Sequence, residues 1–93
     1  MSYQTLETEI IFGGWSTFEK PTAEELAIFN KALEGYSGVH YSPLFVSAQV
    51  ADGMIYRFRC LASIPPSKRF FESLLMVFKP YDSDAYIVRI SRI

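Results

Sequence analysis

The hydrophobic and polar positions of the chain follow two patterns, one with a helical period and one that alternates. The helical period covers residues 23–33, where apolar side chains recur three and four positions apart. This apolar stripe consists of Ala23, Leu26, Ile28, Phe29, Ala32 and Leu33. Thr22 and Glu25 have the spacing of a capping box, and Gly35 supplies a stop signal. The pattern predicts one helix whose apolar stripe is buried, with Leu26, Phe29 and Leu33 as its main core residues.

After Gly38 the pattern alternates with a period of two, which is typical of half-buried strands. Four such runs cover residues 41–50, 54–62, 69–78 and 85–93. The alternating apolar positions are Leu44, Val46, Ala48 and Val50 in the first run, Tyr56, Phe58 and Cys60 in the second, and Tyr86, Val88 and Ile90 in the last. Turn signals separate the runs at Asp52-Gly53, at residues 64–68 and at residues 79–84. Consecutive hairpins of this kind predict an antiparallel meander.

Ahead of the helix, residues 10–18 form another strand-like run, which Gly13-Gly14 interrupts. Residues 1–9 are polar and mixed, so we expect a mobile segment there, followed by a single domain over residues 10–93. One amphipathic helix and one antiparallel sheet predict an α+β fold, with a four- to five-stranded sheet wrapped around the helix. Because alternate hairpins of a meander emerge at the same end, the turns at residues 51–53 and 79–84 are expected to lie side by side.

The composition narrows the classes of function. Nine Lys and Arg against ten Asp and Glu give a net charge of −1, which offers no electrostatic basis for binding nucleic acid or an anionic membrane. The first ten residues contain neither a basic start nor a long apolar run, so we expect no signal peptide and no membrane span. Cys60 is the only cysteine, which precludes an internal disulfide and favours a reducing, cytoplasmic location.

Residues for catalysis or metal binding are sparse. Cys60 shares a strand side with Tyr56 and Phe58, which predicts a small core residue rather than a nucleophile. With His40 as the only histidine, an ordinary metal-ligand set is not available. We therefore expect no enzyme activity, metal or cofactor. A cluster of arginines is expected on the outer, solvated face of the sheet; its members are Arg57, Arg59, Arg89 and Arg92.

The first turn is unusual because Gln49 and Val50 precede it and Met54 and Ile55 follow it, so apolar side chains flank its tip. Here the residues resemble the cystatin family, and within it the stefins. The segment Gln49–Gly53 is similar to the Gln-x-Val-x-Gly loop of the family, with Ala51 at the position where Val is usual. Tyr56 stands three residues after the loop Gly, as it often does in the family.

The resemblance extends over nearly the whole chain, from about residue 10 to residue 90. Residues 13–16 and 20–25, Gly-Gly-Trp-Ser and Lys-Pro-Thr-Ala-Glu-Glu, look like the opening glycines and helix start of stefins and plant cystatins. Tyr41–Pro43 looks like the start of the strand that leads into the loop. Pro80-Tyr81 stands where many cystatins have Pro-Trp.

The resemblance implies a cystatin-like roll that inhibits papain-like cysteine proteases of the cathepsin type. Members of the family plug the active-site cleft with an N-terminal trunk and two hairpin turns. On this chain the resemblance assigns protease binding to Ile11, Phe12, Gly13, Gly14, Gln49, Val50, Ala51, Asp52, Gly53, Pro80 and Tyr81. Ile11 and Phe12 would lie in the unprimed side of the cleft, and Tyr81 would be an aromatic anchor. A positive φ is expected at Gly53 in the first turn, and Gly53→Glu is expected to abolish inhibition with the fold retained or nearly so.

Other readings of the same sequence stay open. Gly13-Gly14 alone is an ordinary bulge or turn, and Asp52-Gly53 alone is a favoured turn dipeptide. A non-inhibitory adaptor that binds a protein or peptide through a sheet edge or the outer sheet face is the main alternative function. A small pocket enzyme on a related fold is a weaker one, since it needs convergent acid–base residues. We expect a monomer, with a strand-exchanged dimer as the alternative.

Overall fold

The computed structural model describes residues 14–93, and its one described helix, α1, spans Ala23–Ala32. Thr22 Oγ1 accepts a hydrogen bond from the Glu25 N–H at 3.1 Å, and Glu25 Oε1 accepts one from the Thr22 N–H at 2.9 Å. This reciprocal pair satisfies two N–H groups that a helix start would otherwise leave open, so the predicted capping box is confirmed. Glu24 and Glu25 in the first turn also suit the positive end of the helix dipole.

Four antiparallel strands follow the helix: β1 (His40–Val50), β2 (Met54–Ser63), β3 (Phe71–Lys79) and β4 (Tyr86–Arg92). They form one sheet in the order β1-β2-β3-β4, so each strand pairs with its neighbour in sequence. The predicted meander and the α+β class are therefore confirmed. We call the connections the first turn (residues 51–53), the second turn (residues 64–70) and the third turn (residues 80–85).

The core lies between α1 and the face of the sheet that we call the core face. Its buried members are Phe29, Ala32, Val46, Ala48, Tyr56, Phe58, Cys60, Leu75, Val77 and Ala85. The rings of Phe29 and Phe58 lie 4.8 Å apart and join the helix to the centre of β2. Ile28 and Leu33 are partly buried against this cluster. Leu26 was expected in the core but is 36% exposed, because the helix contacts the core through its second half.

Two β-bulges break the alternation that the sequence predicts. In the pairing of β1 with β2, Pro43 lies opposite Cys60 and Phe45 opposite Arg59, so Leu44 is the extra residue. Its side chain is 40% exposed, although the strict alternation places it in the core. Val46, Ala48 and Val50 keep the predicted side of the strand, because the register is regular after the bulge.

The second bulge lies in β4. Val77 pairs with Ile87 and Met76 with Arg89, so Val88 is the extra residue. Ile87 packs against the core, whereas Tyr86 and Val88 are about half exposed and Ile90 is 39% exposed. The predicted apolar side of this strand is therefore wrong for Tyr86 and Val88, whereas Ile90 pairs with buried Leu75 on the core face. β4 is the last strand in the sheet order and has a strand neighbour only in β3 among the described residues.

The arginines expected on one face are divided between two. Arg57, Arg59 and Arg89 point to the outer face, since they lie beside the core-face positions in the register. Arg92 pairs with buried Ser73 and lies over the Phe71 ring at 4.2 Å, on the opposite face. Arg92 lies three positions after Arg89, so strand alternation puts the two side chains on opposite faces.

The chain before the helix runs along the free side of β1. The Ser16 N–H donates to the Ala48 carbonyl at 2.8 Å, and Glu19 and Val46 exchange backbone hydrogen bonds as an isolated antiparallel bridge. Residues 14–22 form no longer strand than this bridge. The rest of the predicted first strand, residues 10–13, lies outside the described residues, as does the segment 1–9.

Candidate functional site

The first and third turns lie in contact at one end of the sheet. An ideal Cβ placed on Gly53 would come within 2.6 Å of the Lys79 carbonyl oxygen and 3.2 Å of the Pro80 Cα. Gly53 is accordingly buried, and its φ of +129° is one that side chains disfavour. Only a glycine lets the two backbones approach so closely. We call residues 50–54 together with residues 79–82 the two-turn tip.

The first turn presents a short exposed segment between two well-formed strands. Val50 pairs with Met54, and the Ala51 N–H donates to the Gly53 carbonyl at 3.0 Å. Ala51 and Asp52 are exposed, and Asp52 has a φ of +55°. Asp is one of the few non-glycine residues that tolerates this left-handed conformation. Gln49 and Val50 are half-buried, so the exposed part of the first turn is narrower than its motif.

The third turn offers one large exposed ring. Tyr81 is 71% exposed, whereas the neighbouring Pro80 is half-buried against the first turn. The Lys79 ammonium donates to the Pro80 carbonyl at 2.7 Å, which ties down the start of the turn. Across its base the rings of Phe78 and Tyr86 meet edge to face with centroids 5.8 Å apart. These contacts hold the base of the third turn in place, whereas the Tyr81 ring projects into solvent.

The N-terminal part of the predicted site lies partly outside the described residues. Gly14 is half-buried, whereas Ile11, Phe12 and Gly13 belong to the segment that the structure does not describe. Ser16 lies beside Ala48, and Glu19 beside Val46, so the segment is antiparallel to β1. Followed backwards from Ser16, the chain therefore leads along β1 in the direction of the first turn. Gly14 stands at the same end of the sheet as the two-turn tip.

Sequence reasoning missed the contacts that hold this segment to the sheet. Arg57, on the outer face of β2, lies over the Trp15 ring at 4.0 Å and donates to Ser47 Oγ at 3.3 Å. Ser47 Oγ donates in turn to the Ser16 carbonyl, and Ser16 Oγ accepts from the Ala48 N–H at 2.9 Å. The sequence signal for these contacts was weak, because the strand pattern assigned no role to Ser16 or Ser47.

The residues considered for nucleophilic or metal chemistry do not form a reactive site. Cys60 is buried on the core face, and burial raises the pKa of its thiol from 9.0 to about 12. His40 is exposed and pairs with Ser63, at the end of the sheet away from the two-turn tip. Among residues 14–93 no group of three or more His, Cys, Asp or Glu side chains could hold a metal ion.

Two cavities of modest size lie away from the two-turn tip. One of about 260 Å³ lies between the segment before α1, the start of α1 and β1, and Thr22, Glu25, Val46 and Ala48 are among its lining residues. The other, of about 230 Å³, is lined by Gly38, Val39, His40 and Pro65 near the second turn. The first lies beside the capping box, whose groups already satisfy one another. In the described part of the chain, no helix is long and apolar enough to cross a membrane.

Comparison with known proteins identifies no relative of this chain. No family model matches the chain, and neither the curated proteins nor the solved structures contain a match. The resemblance to cystatins therefore rests on the sequence motifs alone.

Proposed function

We propose that the protein is a reversible inhibitor of papain-like cysteine proteases of the cathepsin type. The two-turn tip would enter the active-site cleft together with the N-terminal trunk, Ile11 to Gly14. The domain would act as a cystatin-like roll and as a binding protein, without an enzyme activity of its own. A lone, buried Cys60 suits the reducing conditions of the cytoplasm, where we place the protein.

The contact between Gly53 and the Lys79 carbonyl is the observation that carries this proposal. It joins the first and third turns into one blunt body, although they are separated by two strands in sequence. A body that is already rigid loses little conformational entropy when it enters a preformed cleft, so more of the contact energy appears as affinity. The exposed side chains of the two-turn tip, which would meet the protease first, are Ala51, Asp52, Tyr81 and Asp82.

The chemistry of the tip agrees with inhibition rather than cleavage. Residues 51–53 form a tight turn with two successive positive φ values, at Asp52 and Gly53. A protease cleaves an extended segment, and such a turn does not offer one at the catalytic thiolate. Tyr81 combines a large apolar ring with a polar hydroxyl, which is the type of side chain that dominates many protein interfaces.

An adaptor function is the second candidate, and the edge strand β4 favours it. Tyr86, Val88 and Ile90 are exposed on this strand, and β4 has a strand neighbour only in β3 within residues 14–93. A peptide could add to such an edge through backbone hydrogen bonds. Such binding would leave the two-turn tip free.

The proposal is tested by titrating the purified full chain against papain and a cathepsin with a fluorogenic peptide substrate. We expect competitive and reversible inhibition of both, with trypsin and thermolysin unaffected at the same protein concentration. A chain that leaves papain and the cathepsin fully active at a concentration of tens of micromolar would contradict the proposal and favour the adaptor.

A further inference from the structure

The guanidinium of Arg57 lies between the N-terminal segment and the sheet. It covers the Trp15 ring at 4.0 Å and approaches the Phe18 ring at 5.2 Å. Its Nη2 donates to Ser47 Oγ at 3.3 Å. Both aromatic rings belong to the segment that precedes α1, whereas Arg57 and Ser47 belong to the sheet. One cation therefore contacts the two parts of the domain at once.

The hydrogen bonds around Arg57 extend this connection to the backbone. Ser47 Oγ donates to the Ser16 carbonyl, so a side chain of β1 holds the residue that follows Trp15. Ser16 Oγ accepts from the Ala48 N–H, and the Ser16 N–H donates to the Ala48 carbonyl. Ser47 and Ser16 are both buried, where each of these bonds is shielded from water. The path of the chain at Trp15 and Ser16 is thereby fixed.

The Nε atom of Arg57 indicates that other contacts hold the guanidinium in this position. Its Nε is buried and has no hydrogen-bond partner among the described residues. A buried donor without a partner costs free energy, so the position is maintained by the other contacts. A cation over an indole face gains more as water is excluded, and both Arg57 and Trp15 are half-buried.

We propose that Arg57 is a positioning residue for the N-terminal segment. It holds Trp15 and Ser16 on β1 and so sets the position of Gly14, at the end of the sheet that carries the two-turn tip. Its importance for protease binding rests on the proposed function, whereas its hold on Trp15 does not. Ile11 and Phe12, which the proposed function assigns to the protease cleft, come just before this anchored stretch in the sequence.

The first part of the test uses fluorescence, because Trp15 is the only tryptophan in the chain. In the full chain, Arg57→Gln should shift the emission of Trp15 to longer wavelength and lower its anisotropy, as the ring gains water and freedom. Arg57→Lys should give a smaller change, since it keeps the cation. Arg89→Gln is the matched control: it removes the same charge from the outer face, on β4. Equal spectra for wild type, Arg57→Gln and Arg89→Gln would overturn the positioning role.

The second part measures dissociation from papain in a double-mutant cycle. Arg57→Gln should speed dissociation roughly fivefold in the otherwise native chain, which is the size of a cation–π contact at a half-buried site. In a full chain that carries Ile11→Ala and Phe12→Ala, the same change should have no further effect, because the side chains that the proposed function assigns to the cleft are gone. A fivefold effect in both backgrounds would mean that Arg57 acts on the fold as a whole and would overturn the proposal.

The two parts separate this proposal from the proposed function. If the wild-type chain does not inhibit papain, the proposed function fails. The fluorescence of Arg57→Gln against Arg89→Gln then decides by itself whether Arg57 positions the segment. If the chain inhibits papain and the fluorescence is unchanged by Arg57→Gln, the positioning role fails and the proposed function stands.

Discussion

Gly53 lies against the backbone of Lys79, at a distance that leaves no room for a side chain. A Cβ at Gly53 would stand 2.6 Å from the Lys79 carbonyl oxygen, and the backbone of Gly53 has a φ of +129°. The glycine therefore has a structural role: it allows the backbone of the first turn to pack against the backbone of the third. Gly53→Glu would force the two turns apart, so any loss of inhibition by this variant would reflect a disturbed two-turn tip as well as a lost contact.

A Gly53→Ala variant should measure this contact in the free energy of unfolding. Gly35→Ala is the matched control, because Gly35 also has a positive φ, of +88°, but no atom within 4 Å of its ideal Cβ. The control should lose about 1–2 kcal/mol from the backbone strain alone. Gly53→Ala should lose about 1–3 kcal/mol more, from the added clash. Urea unfolding of the three proteins checks this, and equal losses in both variants would show that the turns are not held together at Gly53.

Tyr81 is expected to contribute to protease binding and little to folding. Its ring is 71% exposed, so Tyr81→Ala should change the free energy of unfolding by less than about 0.5 kcal/mol. A buried tyrosine anchor in an interface is worth about 2 kcal/mol, so the inhibition constant for papain should rise roughly thirtyfold. Tyr36→Ala is the control, since Tyr36 is 56% exposed and follows α1. Loss of inhibition in both variants alike would exclude a specific role for Tyr81.

Asp52 places a carboxylate at the exposed part of the first turn, where it suits a dry cleft poorly. A carboxylate that enters the cleft loses hydration unless a donor meets it. Because Asp52 has a φ of +55°, alanine would add backbone strain, whereas asparagine tolerates this conformation and removes only the charge. Asp52→Asn should tighten inhibition by about 1 kcal/mol, roughly fivefold. The measurement is the inhibition constant at two pH values. A tenfold weakening in a folded Asp52→Asn would mean that the protease supplies a partner for the carboxylate.

The sequence predicted well what depends on local pattern. The capping box at Thr22 and Glu25 and the order of the hairpins follow from residues close together in the chain, and both are present in the structure. The bulges at Leu44 and Val88 could not be predicted from the sequence. One extra residue in a strand changes which side of the sheet its neighbours face, and the composition of the strand does not reveal it. The pairing of Trp15 with Arg57 could not be predicted either, since contacts between distant segments depend on the register of the whole sheet.

The buried thiol of Cys60 makes stability depend on alkaline pH. Burial raises its pKa from 9.0 to about 12, so between these values the unfolded chain releases the thiol proton and the folded chain keeps it. The contribution is complete below pH 9 and is lost as the pH rises toward about 12, so the free energy of unfolding falls over that range. Tyr41 and Tyr56 act in the same direction, since burial also raises the pKa of each.

The Cys60→Ala variant isolates the thiol contribution, because it retains both tyrosines. Urea unfolding between about pH 8 and about pH 10.5 should show a shallower decline for the variant than for the wild type. The variant is expected to be less stable at every pH, since it loses buried volume, so the slopes are compared rather than the values. Parallel slopes would mean that the Cys60 thiol ionises equally in the folded and unfolded chains.

The most direct measurement of the proposed inhibition is backbone amide exchange of the full chain, alone and mixed with excess papain. If the two-turn tip fills the active-site cleft, exchange should slow at residues 50–54 and at Lys79, Tyr81 and Asp82 on addition of papain. The second turn, residues 64–70, lies at the other end of the sheet and should exchange at an unchanged rate. Blocking the papain cleft beforehand with an irreversible small-molecule inhibitor should reduce the protection of the tip. Unchanged exchange at the tip, or protection confined to β4, would contradict the proposal that this end of the domain binds the protease.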